Sequence, residues 1–321
     1  MKTALDCIPC FTRQALDAVR MVTDDPKVHE QVLRVILWRT SQAPLRQSPV
    51  VTAQYIHRLV RELVGQADPY CQVKRRSNEL AMELYPELAA RVQQSGDPLE
   101  TALRLAIAGN VIDLGVQGCI EKQQVEESIS HALATPLNGQ IRSLADEISR
   151  ARSILYIADN AGEIVFDRLL IEQMPLQCVT VAVRGRPVLN DATLADAEAA
   201  GLTDLVEVID NGSDAPGTLL DDCSEAFRRR FAGADLVIAK GQGNYESLSD
   251  VERDVVFVLK AKCPVVASEI DCPVGALVVR RTGQSGGGKA PAGTSAAKGG
   301  LGTASAPGHA EVTSGPASRG T

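Results

Sequence analysis

No stretch of this sequence stays apolar for the roughly 20 residues that a helix needs to cross a bilayer, so a membrane is not an expected partner. An excess of basic residues is missing as well. The formal charge is −7, and the last forty residues hold Lys289, Lys298 and Arg319 against the single acid Glu311, which leaves the rest more acidic still. Nucleic-acid binding depends on clustered Lys and Arg to neutralise phosphates, so it is not expected. No export signal is expected either, because Asp6, Cys7 and Cys10 put a carboxylate and two thiols where such a signal needs an unbroken apolar run. A cytoplasmic location is expected, and there the eight cysteines are read as packing, metal or redox groups before disulfides.

Further absences narrow the chemistry. The phosphate-binding spacing Gly-x-x-x-x-Gly-Lys-Ser/Thr does not occur, and ATP binding of that type goes with it. The four histidines, His29, His57, His131 and His309, sit in polar or tail contexts away from predicted strand ends, so no histidine base is expected. Cys7-x-x-Cys10 has the spacing of a metal hairpin or redox pair, but no second Cys-x-x-Cys or His-x-x-x-His completes a tetrahedral zinc site locally. Cys71 or Cys119 would have to join it in space.

What is present falls into three textures. Up to about residue 150, apolar residues recur at three- and four-residue spacing, as in Ile56-Leu59-Val60-Leu63-Val64, and predict six or seven helices. Asp25-Pro26, Ser48-Pro49, Asp68-Pro69 and Asp97-Pro98 each pair a capping side chain with a proline suited to the first helical turn. From 151 to 281, β-branched runs at 153–158, 179–183, 205–209, 235–239 and 264–267 alternate with helical stretches at 166–173, 192–200 and 219–231. That alternation predicts βαβ units and a mainly parallel sheet. From 282 to 321 the chain is Gly, Ala, Ser, Thr and Pro without an aromatic residue, and is expected as a disordered tail. The predicted fold class is α/β: an all-helical domain over 1–150 packed on a doubly wound, mainly parallel α/β domain over 151–281.

Chemistry is expected where the strands stop. In an open parallel sheet, ligands bind beyond the carboxyl ends of the strands. The first run stops at Asp159-Asn160-Ala-Gly162-Glu163, the second at Arg184 and then Asn190-Asp191, and the fourth at Lys240-Gly-Gln242-Gly243-Asn244-Tyr-Glu246. Asp159, Asn160 and Asp191 offer hard oxygen ligands suited to Mg²⁺ or Mn²⁺, although Asp159 and Asn160 could also serve only as helix caps. Lys240, followed by a loop that allows close backbone approach, is a candidate phosphate contact; a salt-bridged structural lysine is the alternative. Asp210-Asn-Gly-Ser213 reads as a turn or as a wall of the same crevice. Asn110 and Asp113, three apart on one helix face, are candidates for substrate contact or for a domain-interface hydrogen bond. Lys74-Arg-Arg-Ser-Asn78 supplies cations to a phosphate or forms a solvated face.

Taken together and in order, these motifs resemble the DUF89, or ARMT1-like, metal-dependent damage-control phosphatases, in particular a prokaryotic branch with an N-terminal Cys-x-x-Cys. Cys7 to Cys10, Asp68-Pro-Tyr70, Lys74 to Glu79, Gly109 to Asp113, Asp159 to Glu163, Arg184 to Asp191, Asp210 to Ser213 and Lys240 to Glu246 carry the resemblance, which spans about residues 1–280. It implies a divalent metal at Asp159, Asn160 and Asp191, with Mg²⁺ or Mn²⁺ expected and Co²⁺ or Ni²⁺ as further candidates. It implies hydrolysis of phosphate monoesters of small, often damaged or side-product, metabolites. Asp159, Asp191 and Lys240 are the expected catalytic groups. Glu163, Arg184, Asn190, Gln242, Gly243, Asn244, Glu246 and Lys262, with Asn110 and Asp113, are the expected substrate contacts. Metal-assisted attack by water and an aspartyl-phosphate route both remain open. A carboxyl methyltransferase using S-adenosylmethionine and a non-catalytic metal or phospho-ligand binder stand as alternative functions.

Overall fold

The computed structural model describes residues 1–109, 122–139 and 141–282. The expected tail beyond residue 282 lies outside them. Residues Met1–Gly286 form one compact unit. Its elements run α1 (Cys7–Val22), α2 (Pro26–Gln42), α3 (Pro49–Val64), α4 (Cys71–Gln93), α5 (Pro98–Ala108), α6 (Lys122–Ala134), β1 (Leu137–Gly139) and α7 (Ile141–Arg150). There follow β2 (Ile154–Ile157), α8 (Glu163–Ile171), β3 (Val179–Val183), α9 (Leu194–Ala199), β4 (Glu207–Asp210), α10 (Glu225–Gly233), β5 (Leu236–Lys240), α11 (Gly241–Leu248), β6 (Val256–Lys260), α12 (Pro264–Ile270) and β7 (Leu277–Arg281). None of the described helices is long and apolar enough to cross a membrane.

Local chemistry accounts for the helix starts. Asp25, Ser48 and Asp97 each accept a first-turn backbone N–H (from Lys27, Val50 and Glu100), with proline beside the cap. Asp68-Pro69 behaves differently. α4 begins only at Cys71, and Asp68 instead accepts from the backbone N–H of Tyr70 and pairs with Lys74.

The seven strands form one sheet in the order β1-β7-β6-β5-β2-β3-β4. Neighbours are parallel except β6 and β7, which are antiparallel. The central strands are apolar throughout because both faces are covered. Ile154 and Tyr156 of β2 face one apolar cluster, with α4, α5 and α8, and Leu155 and Ile157 face another, with α10, α11 and α12. The expected strand at 264–267 is a correction: Pro264 opens α12 behind a Cys263 cap, and the strand of that unit lies earlier, at β6. β1, upstream of residue 150, forms one edge of the sheet.

The topology sets the site. From β2 the chain builds outward through β3 and β4, then returns to lay β5 against the other side of β2. The order therefore reverses between β2 and β5, and the crevice beyond their carboxyl ends is where such folds bind ligands. Helix α3 closes over this edge. Arg58 donates to both oxygens of Asp214 at 3.0 Å from Nε and to Oδ1 at 2.5 Å from Nη2, Arg61 pairs with Oδ2, and Gln54 donates to Oδ1 at 2.8 Å. Ser48 Oγ donates to the Glu246 carbonyl at 2.9 Å.

Burial by itself raises the Asp214 carboxyl, but hydrogen bonds from Arg58 and Gln54 and the charges of Arg58 and Arg61 outweigh it, bringing it from 3.8 to about 2. A carboxyl lowered on folding contributes stability above its unfolded value and loses it as pH falls through the folded one. Because Arg58 is half exposed, we expect about 1–2 kcal/mol from this term. Asp214→Asn should destabilise the protein by that amount at pH 7, and the gap to wild type in urea denaturation should shrink as pH falls from about 4 towards 2. A gap independent of pH would mean that the charge is not the fastening.

Candidate active site

Asp159 and Asn160 follow β2 directly, and Asp191 ends the loop after β3. That loop folds back so that Asn160 and Asp191 form a β-bridge, with the Ala161 N–H on the Asn190 carbonyl and the Ala192 N–H on the Asp159 carbonyl, both at 2.8 Å. The two carboxylates thus meet at one place. Arg184, 1% exposed, spans them: Nε donates to Asp191 Oδ2 at 2.6 Å, and Nη2 lies 3.7 Å from Asp159 Oδ1. Nη1 donates to Thr218 Oγ1 at 3.3 Å, and Nη2 also donates to Asn244 Oδ1 at 3.2 Å.

The β5–α11 loop forms the opposite wall. Gly241, at φ +79°, lies so close to Asp159 that a Cβ there would land on the carboxylate. Asn244, fully buried, donates to the carbonyls of Ala158 and Lys240 at 3.2 and 2.7 Å, and its Oδ1 accepts from Thr218 and Arg184. The loops after β2, β3 and β5 are thereby locked together by side chains that do not reach the surface.

Lys240 is a correction. Its ammonium group is fully buried, and its three protons are taken by the Ala106 carbonyl at 2.8 Å, Glu163 Oε1 at 2.7 Å and Asp167 Oδ1 at 2.5 Å. The salt-bridged alternative describes it, because an ammonium with three acceptors has no donor left for a phosphate. Glu163 and Asn244, expected as substrate contacts, likewise belong to the buried frame, since each of their polar atoms already has a protein partner. Asn190 is buried beside Asp191.

The accessible rim is formed by Gln242, Gly243, Glu246 and Lys262. Gln242 Oε1 accepts from the Lys262 backbone N–H at 3.0 Å, and its Nε2 donates to Glu246 Oε1 at 2.8 Å, tying β6 to α11. Of Lys260 and Lys262, which follow one another closely at the end of β6, Lys262 is exposed and close enough to Asp159 to lower its carboxyl. Burial pushes Asp159 well above the usual carboxylate range, and the charges of Glu163 and Asp191 push it further than Arg184 and Lys262 can offset. The crevice holds more buried negative charge than positive.

Several residues act otherwise than their sequence context implies. Lys74 and Asn78 are neither a solvated face nor phosphate contacts: buried on α4, they hold Asp196, and Asn78 Oδ1 accepts the Gly162 N–H at 2.6 Å, bracing the Asp159–Glu163 turn. Asn211 and Ser213 shape a turn that is pinned to Gly185. His57 is buried against Tyr70 and is lowered to about 3 by burial and by Arg61, so it is neutral. Cys7 and Cys10 are free thiols raised by burial, near Glu246 and Cys263 and not joined by Cys71. Among the described residues no three His, Cys, Asp or Glu side chains form a ready ligand set. Asn110, Asp113 and Cys119 lie outside the described residues. Asp167 and Asp214 do not stand out in the sequence, because their partners lie 73 and about 155 residues away along the chain.

Comparison with known proteins follows the same geometry. Residues 3–278 match the damage-control phosphatase ARMT1-like domain. The chain is 35% identical to a damage-control phosphatase of Archaeoglobus fulgidus, over 87% of this chain and 99% of that protein. It is 34% identical to one of Pyrococcus horikoshii, over 88% and 98%. The crystal structure of a DUF89 family protein from Pyrococcus horikoshii superposes with a TM-score of 0.79 at 33% identity, covering 88% of this chain and 99% of that one. With the match running from the first helix to the last strand, this chain belongs to the damage-control phosphatase ARMT1-like family.

Proposed function

We infer that this protein is a metal-dependent phosphatase that hydrolyses phosphate monoesters of small metabolites, damaged or side-product ones among them. One observation carries the reading: Asp159, Asn160 and Asp191 meet at the switch point of the sheet in a surplus of buried negative charge. Two carboxylates and an amide carbonyl suit Mg²⁺ or Mn²⁺, with Co²⁺ and Ni²⁺ as further candidates. The fit is electrostatic, since a cation among these groups would offset the burial and the repulsion that raise Asp159. When bound, it supplies Lewis-acid charge for the transferring phosphoryl group.

The chain's own residues provide position and charge, which phosphoryl transfer chiefly needs. Arg184 holds Asp191 and faces Asp159, keeping both carboxylates at one edge of the crevice. Lys262, expected as a substrate contact, takes the phosphate role that the sequence leaves open for Lys240: at the rim it can meet a phosphoryl oxygen, with Gln242 fixing its backbone. Gly241 lets the β5–α11 loop lie against Asp159.

The direct test is a panel of phosphorylated metabolites assayed with Mg²⁺, Mn²⁺, Co²⁺ and Ni²⁺, scored by released phosphate. Turnover of at least one monoester that stops on chelation is expected; release unaffected by chelation contradicts the metal role. Asp159→Ala and Asp191→Ala should each abolish release while melting stays cooperative, and undiminished turnover in either removes that residue from the set. Lys262→Ala should lower kcat/KM about 10²-fold, the loss typical of one charge-stabilising donor, with unchanged melting temperature and little effect from Lys260→Ala. Gly241→Ala should cut turnover at least about tenfold, from steric collision at a positive-φ position; wild-type kinetics would mean that Asp159 moves without cost.

A further inference from the structure

The buried charges behind the crevice have no partner in solvent and no place in the hydrolysis described above. Asn160 Nδ2 donates to Asp159 Oδ2 and to Glu163 Oε2, both at 2.9 Å. Only the NH₂ side of an amide can stand between two carboxylates, so these two bonds fix which way the Asn160 amide faces and leave Oδ1 as its remaining acceptor. Glu163 Oε1 is in turn held by the Lys240 ammonium. Asp167 Oδ1, which also accepts from Tyr156 Oη at 2.8 Å, anchors Lys240 from the far side.

Lys240 reaches the other arm of the site through its backbone. Its carbonyl accepts from Asn244 Nδ2, whose Oδ1 holds Arg184, which holds Asp191. The residue that ends β5 therefore braces both sides of the crevice, the Asn160 side with its charge and the Asp191 side with its carbonyl.

We propose that Glu163 and Lys240 are positioning residues: a buried Lys240–Glu163–Asn160 relay sets the Asn160 amide so that it presents its oxygen, not its NH₂, to a divalent cation. This rests on the metal reading of Asp159, Asn160 and Asp191. Outer hydrogen-bond partners of metal ligands typically change affinity 10- to 100-fold.

The relay makes a non-additive prediction. In Glu163→Gln with Lys240 intact, the introduced amide must turn its oxygen to the ammonium and its NH₂ to Asn160. The Asn160 amide then flips or loses its partner, and a flip also sets its oxygen against Asp159. Removing the ammonium as well, in E163Q/K240M, frees the introduced amide to offer its oxygen to Asn160 and restores the original arrangement. The double variant also leaves the Asp167 carboxylate without its ammonium partner, a buried charge that costs stability, so each titration is read beside a thermal melt.

The experiment is calorimetric titration of the full-length protein with Mn²⁺, alongside thermal melts and steady-state phosphate release. Wild type should bind Mn²⁺, E163Q should bind it 10- to 100-fold more weakly, and E163Q/K240M should return to within about threefold of wild type while E163Q still melts cooperatively. E163Q/K240Q replaces the double variant should the methionine version fail to fold. An E163Q protein with wild-type Mn²⁺ affinity, or a double variant no better than E163Q, overturns the relay. So does a Lys240→Met protein that loses kcat at unchanged Mn²⁺ affinity, since Lys240 would then act on substrate. Failure of wild type itself to bind Mn²⁺ overturns both the relay and the metal reading.

Discussion

Four carboxylates, Asp159, Glu163, Asp167 and Asp191, are buried around one crevice, and among the described residues two buried cations, Lys240 and Arg184, face them. Burying charge is costly unless it is paired, and a surplus of one sign is costlier still. The cost shows in the carboxyls themselves: burial, and then the charges of Glu163 and Asp191, raise Asp159 well out of the usual range, and burial lifts Asp167 to about 6 against the pull of Lys240. On the metal reading proposed above, a divalent cation at the switch point of the sheet would offset this surplus. The other features of the site follow from that constraint.

The site divides into a frame and a rim. Lys240, Glu163, Arg184 and Asn244 form the frame, each buried with its polar atoms committed to neighbours. Gln242, Glu246 and Lys262 form the rim, carried on α11 and the β6–α12 loop. The described residues of the helical block contribute to the frame: Asn78 braces the turn at Gly162, the Ala106 carbonyl completes the shell of Lys240, and α3 grips Asp214. A rigid support under a small accessible rim keeps the charged centre fixed while the rim faces solvent.

Much of this is legible in the residues alone. β2, β3 and β5 can be read because a strand covered on both faces must be apolar at nearly every position, and the abrupt change to Asp159-Asn160, Arg184 and Lys240 marks where the apolar run ends. Short apolar runs are ambiguous, and Val265-Val266-Ala267 reads as a strand although Pro264 opens a helix there. The role of Lys240 narrows only to phosphate contact or salt bridge. What decides it are acceptors 73, 77 and 134 residues away, and no local pattern reports such distances. The same holds for Lys74 and Asn78, whose partners lie on α9 and at Gly162.

Anomalous diffraction at the manganese edge from crystals grown with Mn²⁺ tests the central claim most directly. The account predicts one strong peak bounded by a carboxylate oxygen of Asp159, Oδ1 of Asn160 and a carboxylate oxygen of Asp191. A crevice without a peak at saturating Mn²⁺, or a peak that excludes Asp159 and Asp191, would contradict it.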